Sequence, residues 1–228
     1  MQHQIHKGKV MTDNFKQYKE YMRSFGLIPE KKEDNGAYYF SIQIIRRGKD
    51  HPDLPAANYI FTTYYYSNFE KYCRSINDIK KICDILGCRA YACVVPKSKE
   101  RLLKQIIVSS AKQMQMNEFK SPWRIVEHCS DIMVLDVKRW VIDVDDTEED
   151  STLVNELKDT ISKCKSKAET PVVTIFPTMS GVHIITHPFN IKQFAESLLK
   201  KGIVETEKEA KEMIKKNHIT LLYENLKK

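Results

Sequence analysis

Between residues 140 and 223 the hydrophobic period alternates between strand-like and helix-like spacing in a fixed order, and that order constrains the fold more than any other feature. Trp140-Val141-Ile142 opens a strand, and Leu153, Val154, Leu157 and Ile161 then recur at the three- and four-residue steps of a helix face. Residues 171–176 read as a short apolar strand, Pro177-Thr178-Met179-Ser180-Gly181 as a turn, and residues 182–186 as the strand returning from it. Ile191, Phe194, Leu198 and Leu199 make a helix ended by Gly202, Thr206 with Glu209 supplies a capping box for one more helix, and residues 219–223 close as a strand. Apart from the extra helix, the order is strand-helix-strand-strand-helix-strand, the split-βαβ pattern, whose first and third strands are neighbours at the sheet centre. The residues after Ile142 are therefore expected beside residues 180–187.

Charge divides the chain at about the point where this pattern begins. The 228 residues carry a formal net charge of +7, but residues 1–120 hold 21 basic and 12 acidic side chains, whereas residues 121–228 hold 16 and 18. This asymmetry suggests a basic module over 1–120 and a second module over 121–228, joined at Ser121-Pro122-Trp123, where proline interrupts regular structure. In the first module Phe15, Tyr18, Met22 and Phe25 mark an amphipathic helix followed by Gly26. Residues 37–45, 58–66 and 89–95 read as strands, and Ile76, Ile79, Cys83 and Leu86 as a helix stopped by Gly87. Residues 98–116 read as a further helix. The fold class expected is α/β (α+β): an N-terminal α/β module plus a ferredoxin-like or RRM-like (RNA-recognition-motif-like) βαββαβ module.

The longest unbroken apolar run is six residues, Ala90 to Val95, against the roughly 18 or more that span a bilayer, so no membrane helix is expected. The first residues, Met1-Gln2-His3-Gln4-Ile5-His6-Lys7, lack the apolar stretch of a secretory signal, which leads to an expectation of cytoplasmic localisation and reduced thiols. None of the six cysteines is spaced as a zinc knuckle, and Cys83 and Cys93 fall where cysteine acts as a small buried hydrophobe.

Asp143-Val144-Asp145-Asp146 follows the apolar run at Trp140. Residues i and i+2 of a strand point to one face, so Asp143 and Asp145 present two carboxylates in parallel. Paired hard oxygen ligands suit Mg²⁺ or Mn²⁺, ions that keep waters and bind substrate phosphates on their open side. Glu148, Glu149 and Asp150 read instead as acids at the start of the next helix. Farther on, Ser180, Gly181 and His183 combine a hydroxyl, exposed backbone amides at a glycine turn and an imidazole, a set able to hold a phosphate.

Together these residues resemble the archaeo-eukaryotic primase superfamily, the primase-polymerases. Trp140 to Asp145 match its apolar-Asp-x-Asp motif, and Ser180-Gly181-Val182-His183 matches its Ser-Gly-x-His motif, 38 residues separating Asp145 from His183. The resemblance implies that Asp143 and Asp145 are the catalytic, metal-holding pair and that Ser180, Gly181 and His183 bind the triphosphate of an incoming nucleotide. It implies a role in DNA replication or repair, with nucleotidyltransferase activity as the possible chemistry. The family's third motif, a late-strand Asp, has no match after Asp159, and Glu224 is the only carboxylate in about that place. With residues 219–223 as the fourth strand of the split-βαβ sheet, Glu224 is expected near residues 138–140 and is not expected to be a metal ligand. A non-catalytic nucleic-acid-binding accessory protein with a degenerate site is the main alternative. Asp143-Val144-Asp145-Asp146-Thr147 also fits the nucleophile signature of haloacid dehalogenase-like phosphatases, which need a parallel sheet and a late acidic pair.

The first module offers Arg46-Arg47-Gly48-Lys49 between two aromatic strands, and seven aromatic residues lie between Tyr59 and Tyr72. Basic loops bind phosphates and exposed rings stack on bases, so Arg46, Arg47 and Lys49 are the expected contacts to nucleic acid, DNA or RNA. About half of the rings are expected to be core.

Overall fold

The computed structural model describes residues 11–31, 36–51, 57–117, 124–126, 128–129, 137–145, 147–216 and 219–225. It is a mixed α/β structure with two antiparallel sheets. The joint expected at residues 121–123 lies outside the described residues.

In the N-terminal half, β1 (Thr12–Asp13) leads into α1 (Phe15–Arg23); β2 (Tyr38–Arg46) and β3 (Tyr59–Tyr66) form a hairpin-like pair; and α2 (Phe69–Leu86) precedes β4 (Arg89–Cys93). The short β5 (Lys97–Ser98) then opens α3 (Lys99–Gln115). Asn68 caps α2 by accepting from Lys71 N–H, and Gly87 ends it at φ +59°, in the left-handed region where a Cβ is strained. The alternation in β4 sorts its side chains: Ala90 and Ala92 are fully buried in the core, while Arg89 and Tyr91 point to the opposite face. Of the seven rings between Tyr59 and Tyr72, Tyr66, Phe69 and Tyr72 are buried, Tyr64 packs on the core, and Tyr59 and Phe61 are exposed.

The second sheet is built from β6 (Trp140–Asp145), β7 (Val172–Pro177), β8 (Gly181–Thr186) and β9 (Ile214–Lys216), in the order β7-β8-β6-β9. The first and third strands are central neighbours, as the split-βαβ pattern requires, with Asp143 opposite His183 and Asp145 opposite Gly181. Trp140, Ile142 and Val144 pack on α4 (Thr152–Lys163) and α5 (Ile191–Lys200), forming a core with Leu157, Ile161, Phe194 and Leu198. Thr206 caps α6 (Glu207–Glu212) through Glu209 N–H, but the Glu209 carboxylate reaches back to the N–H of Glu205, so the expected capping box is only half formed.

One expectation is overturned. The fourth strand of this sheet is β9, the three residues that follow α6 and its C-cap Met213, and not residues 219–223. β10 (Ile219–Glu224) instead crosses to the first sheet and inserts between β1 and β4, giving the order β1-β10-β4-β2-β3. Periodicity marks an apolar strand but carries no information on which edge it fills, and the first sheet offers β10 the buried partners Ala92 and Cys93. The first sheet thus takes strands from both sides of the expected joint. Its core also includes Val141, Phe176 and Ile185 from the second sheet, packed with Tyr18, Tyr21, Val94 and Leu222. Asn14 fastens the seam: its amide Nδ2 donates to the carbonyls of Pro177 on β7 and Leu221 on β10 at 2.8 and 2.9 Å.

No helix among the described residues is long and apolar enough to cross a membrane. The cysteines are all free thiols, and all except Cys73 are buried, as expected of small hydrophobes.

Candidate functional site

Alternation in β6 gives each sheet face a different task. Ile142 and Val144 turn to the helices, which leaves Val141, Asp143 and Asp145 facing the first sheet. Val141 is consumed by the shared core, while the two aspartates lie beyond it and line a cleft of about 280 Å³ between the sheets. Ser180 and His183 enter the same cleft from the turn before β8 and from β8 itself. Four of the residues singled out in the second module therefore converge.

The opposite wall comes from the first sheet. Arg47 and Lys49 approach from the segment after β2, Asn58 from just before β3, Arg89 and Tyr91 from β4, and Ile219 and Leu221 from β10. Arg46, next to Arg47 but on the other side of the backbone, leaves the cleft and lies 5.7 Å from the centroid of the exposed Tyr59 ring. The basic loop is thus divided between two places. Arg89, Tyr91 and Asn58 were not singled out in the sequence. The alternation Arg89-Ala90-Tyr91-Ala92 marks a polar face on a buried strand, yet nothing in it shows that this face lies opposite Asp143.

Asp143 is 40% exposed at the side chain, whereas His183 is 12% exposed and held by the fold. The imidazole Nε2 lies 3.4 Å from Asp143 Oδ1, and Nδ1 lies 3.0 Å from the Thr220 hydroxyl on β10. Gly181 is needed here for close approach rather than for an exposed amide: a Cβ at this position would lie 1.9 Å from the carbonyl oxygen of Val144.

Arg89 is the most constrained cation of the wall. Its Nε and Nη2 donate to the two oxygens of Asp50 at 2.7 and 2.6 Å, and Nη2 also lies 2.9 Å from Glu224. Burial opposes its charge, but the Asp50 hydrogen bonds, together with the fields of Tyr91, Glu224 and Asp50, outweigh that effect and raise its pKa. The Tyr91 hydroxyl accepts from Arg47 Nη1 at 3.4 Å, and burial pushes its pKa up against the opposing fields of Arg89 and Arg47.

Glu224 is not near residues 138–140, because β10 does not belong to the second sheet. A bulge between Leu221 and Tyr223 places two β10 residues against one of β4, which shifts the alternation and turns Glu224 toward Arg89. Glu224 is fully buried, and neither carboxylate oxygen has a well-aligned hydrogen bond among the described residues. Burial raises its pKa; Arg89 lowers it, Asp50 raises it, and Arg47 and Lys49 lower it.

Among the described residues no group of three His, Cys, Asp or Glu side chains converges as a ready-made metal cage. The donor set of the cleft is instead two same-face carboxylates, which fits an ion that completes its shell with water and phosphate oxygens. No family model, curated protein or solved structure matches this chain.

Proposed function

We propose that the chain is a primase-polymerase-like protein that binds a nucleoside triphosphate with Mg²⁺ or Mn²⁺ in the cleft between its sheets, and nucleic acid beside it. The observation that carries this reading is the meeting of Asp143, Asp145, Ser180 and His183 with Arg47, Lys49 and Arg89 in one cleft. Two carboxylates facing Arg47 and Lys49, with Arg89 held behind them by Asp50 and Glu224, form a charge pattern suited to a polyanion bridged by a divalent ion. Asp143 and Asp145 would hold the ion, and Ser180, His183, Arg47 and Lys49 would take phosphate oxygens. When bound, the ion would neutralise charge on the phosphates as a Lewis acid.

Glu224 is turned to Arg89 rather than to the aspartates, which favours binding over turnover: nucleotidyl transfer is expected to be weak or absent. Both sheets pair only antiparallel among the described strands, which counts against the haloacid dehalogenase-like reading.

The test is calorimetry with Mn²⁺ and with a nucleoside triphosphate, alone and together. Triphosphate binding should require the metal, and Asp143→Asn with Asp145→Asn should abolish Mn²⁺ binding. Thermal stability should be kept or raised, because a like-charge repulsion is removed. Unchanged Mn²⁺ affinity in the double variant sinks the reading.

The split of the basic loop makes a second expectation. Arg47→Ala with Lys49→Ala should weaken triphosphate binding, whereas Arg46→Ala should weaken single-stranded nucleic acid and flatten its salt dependence by about one unit of slope. Fluorescence anisotropy across a salt series measures this. Equal effects of both variants on both ligands would show that the loop is not divided in this way.

A further inference from the structure

We propose that Thr220 is a positioning residue that donates its hydroxyl proton to His183 Nδ1 and so holds the imidazole as the tautomer that presents Nε2–H to the cleft. Thr220 belongs to β10 and is fully buried opposite Ala92 in the first sheet, while His183 belongs to β8 of the second. Their side chains meet across the sheets at 3.0 Å, Thr220 Oγ1 to His183 Nδ1.

A neutral imidazole has one donor nitrogen and one acceptor nitrogen. With Nδ1–H donating to Thr220, the lone pair of Nε2 would face Asp143 Oδ1 at 3.4 Å, acceptor against acceptor. With the Thr220 hydroxyl donating to Nδ1, Nε2 carries the proton and turns an N–H toward the carboxylate. The second arrangement makes the Nδ1 hydrogen bond and removes the lone-pair repulsion at Nε2, and it gives the cleft a donor for a phosphate oxygen. A hydroxyl rotates, so Thr220 can supply this proton, which an apolar side chain of the same shape cannot. The consequence for ligand binding rests on the reading of the cleft as a triphosphate site, whereas the tautomer itself does not.

The experiment is long-range ¹H–¹⁵N NMR on histidine-labelled protein at alkaline pH, with the His183 signals assigned by their loss in His183→Gln. The wild-type protein should show the Nε2–H form. Thr220→Val should leave Nδ1 without its donor, moving the Nδ1 resonance to that of an unbonded lone pair while Asp143 still favours Nε2–H, and should weaken binding of the metal-bound triphosphate about tenfold, the effect of one hydrogen bond to a charged group. Thr220→Ser should restore both. An Nδ1–H form in the wild type, or an unchanged Nδ1 resonance in Thr220→Val, overturns the proposal. A shifted Nδ1 resonance in Thr220→Val of a protein that binds no triphosphate supports the role of Thr220 and overturns the triphosphate reading instead. If Thr220→Val does not fold, the wild-type and Thr220→Ser spectra decide.

Discussion

Gly181→Ala should lower the melting temperature by about 6–12 °C and weaken divalent-ion binding in the same variant. The added Cβ would lie 1.9 Å from the Val144 carbonyl oxygen and 3.0 Å from Asp145 Cα, and both neighbours are backbone atoms that no rotamer change can move aside. β8 must then separate from β6 at the Asp145–Gly181 pair. Overpacking of this kind costs about 3 kcal/mol, and for a chain of this size each kcal/mol corresponds to about 2–4 °C. Separation at that pair also shifts Asp145 relative to Ser180, which is why the binding loss should accompany the stability loss. Calorimetric melting and Mn²⁺ titration of the variant measure both. A normal melting temperature would mean that the strands are not in this register.

Arg89→Met should destabilise the fold by about 3–5 kcal/mol, because Asp50 and the fully buried Glu224 would lose their common cation. The loss should depend on pH in a defined direction. Burial, assisted by Asp50 and opposed by Arg89, Arg47 and Lys49, raises the Glu224 pKa in the folded protein. The folded state therefore holds that proton more tightly than the unfolded chain. Its contribution is complete below the ordinary glutamate range and is lost as pH rises through the folded value. Removing Arg89 raises the folded value further, so the deficit measured by urea unfolding should be larger at about pH 8 than at about pH 5. Glu224→Gln in the Arg89→Met background should recover part of it. An equal deficit at both pH values would mean that Glu224 is not the group left uncompensated.

The candidate ligands Asp143 and Asp145 are legible in the sequence because strand periodicity is local: two residues apart means one face, whatever else the chain does. Ser180 and His183 are legible as a pair for a similar reason, and the split-βαβ order by itself puts them next to the aspartates. Arg89 and Tyr91 could not be assigned to the site, since they reach it only through the stacking of one sheet on another about 50 residues away in the chain. Gly181 reads in the sequence as a source of backbone amides, but its role here is steric, a property that depends on a neighbouring strand. Arg46 and Arg47 look equivalent in the sequence, and only the sidedness of the backbone after β2 separates them.

Local order and the identity of the acidic pair thus follow from the sequence itself, since periodicity, caps and turn residues act over a few positions. The destination of β10 was decided by tertiary structure alone. Its apolar pattern suits either sheet, and the choice depends on which edge buries more of it: β9 takes the edge beside β6, and β10 gains the slot between β1 and β4. That choice, together with one bulge, turns Glu224 toward Arg89 and brings Thr220 to His183. Both are contacts between residues far apart in the chain, set by sheet packing and invisible to any local pattern.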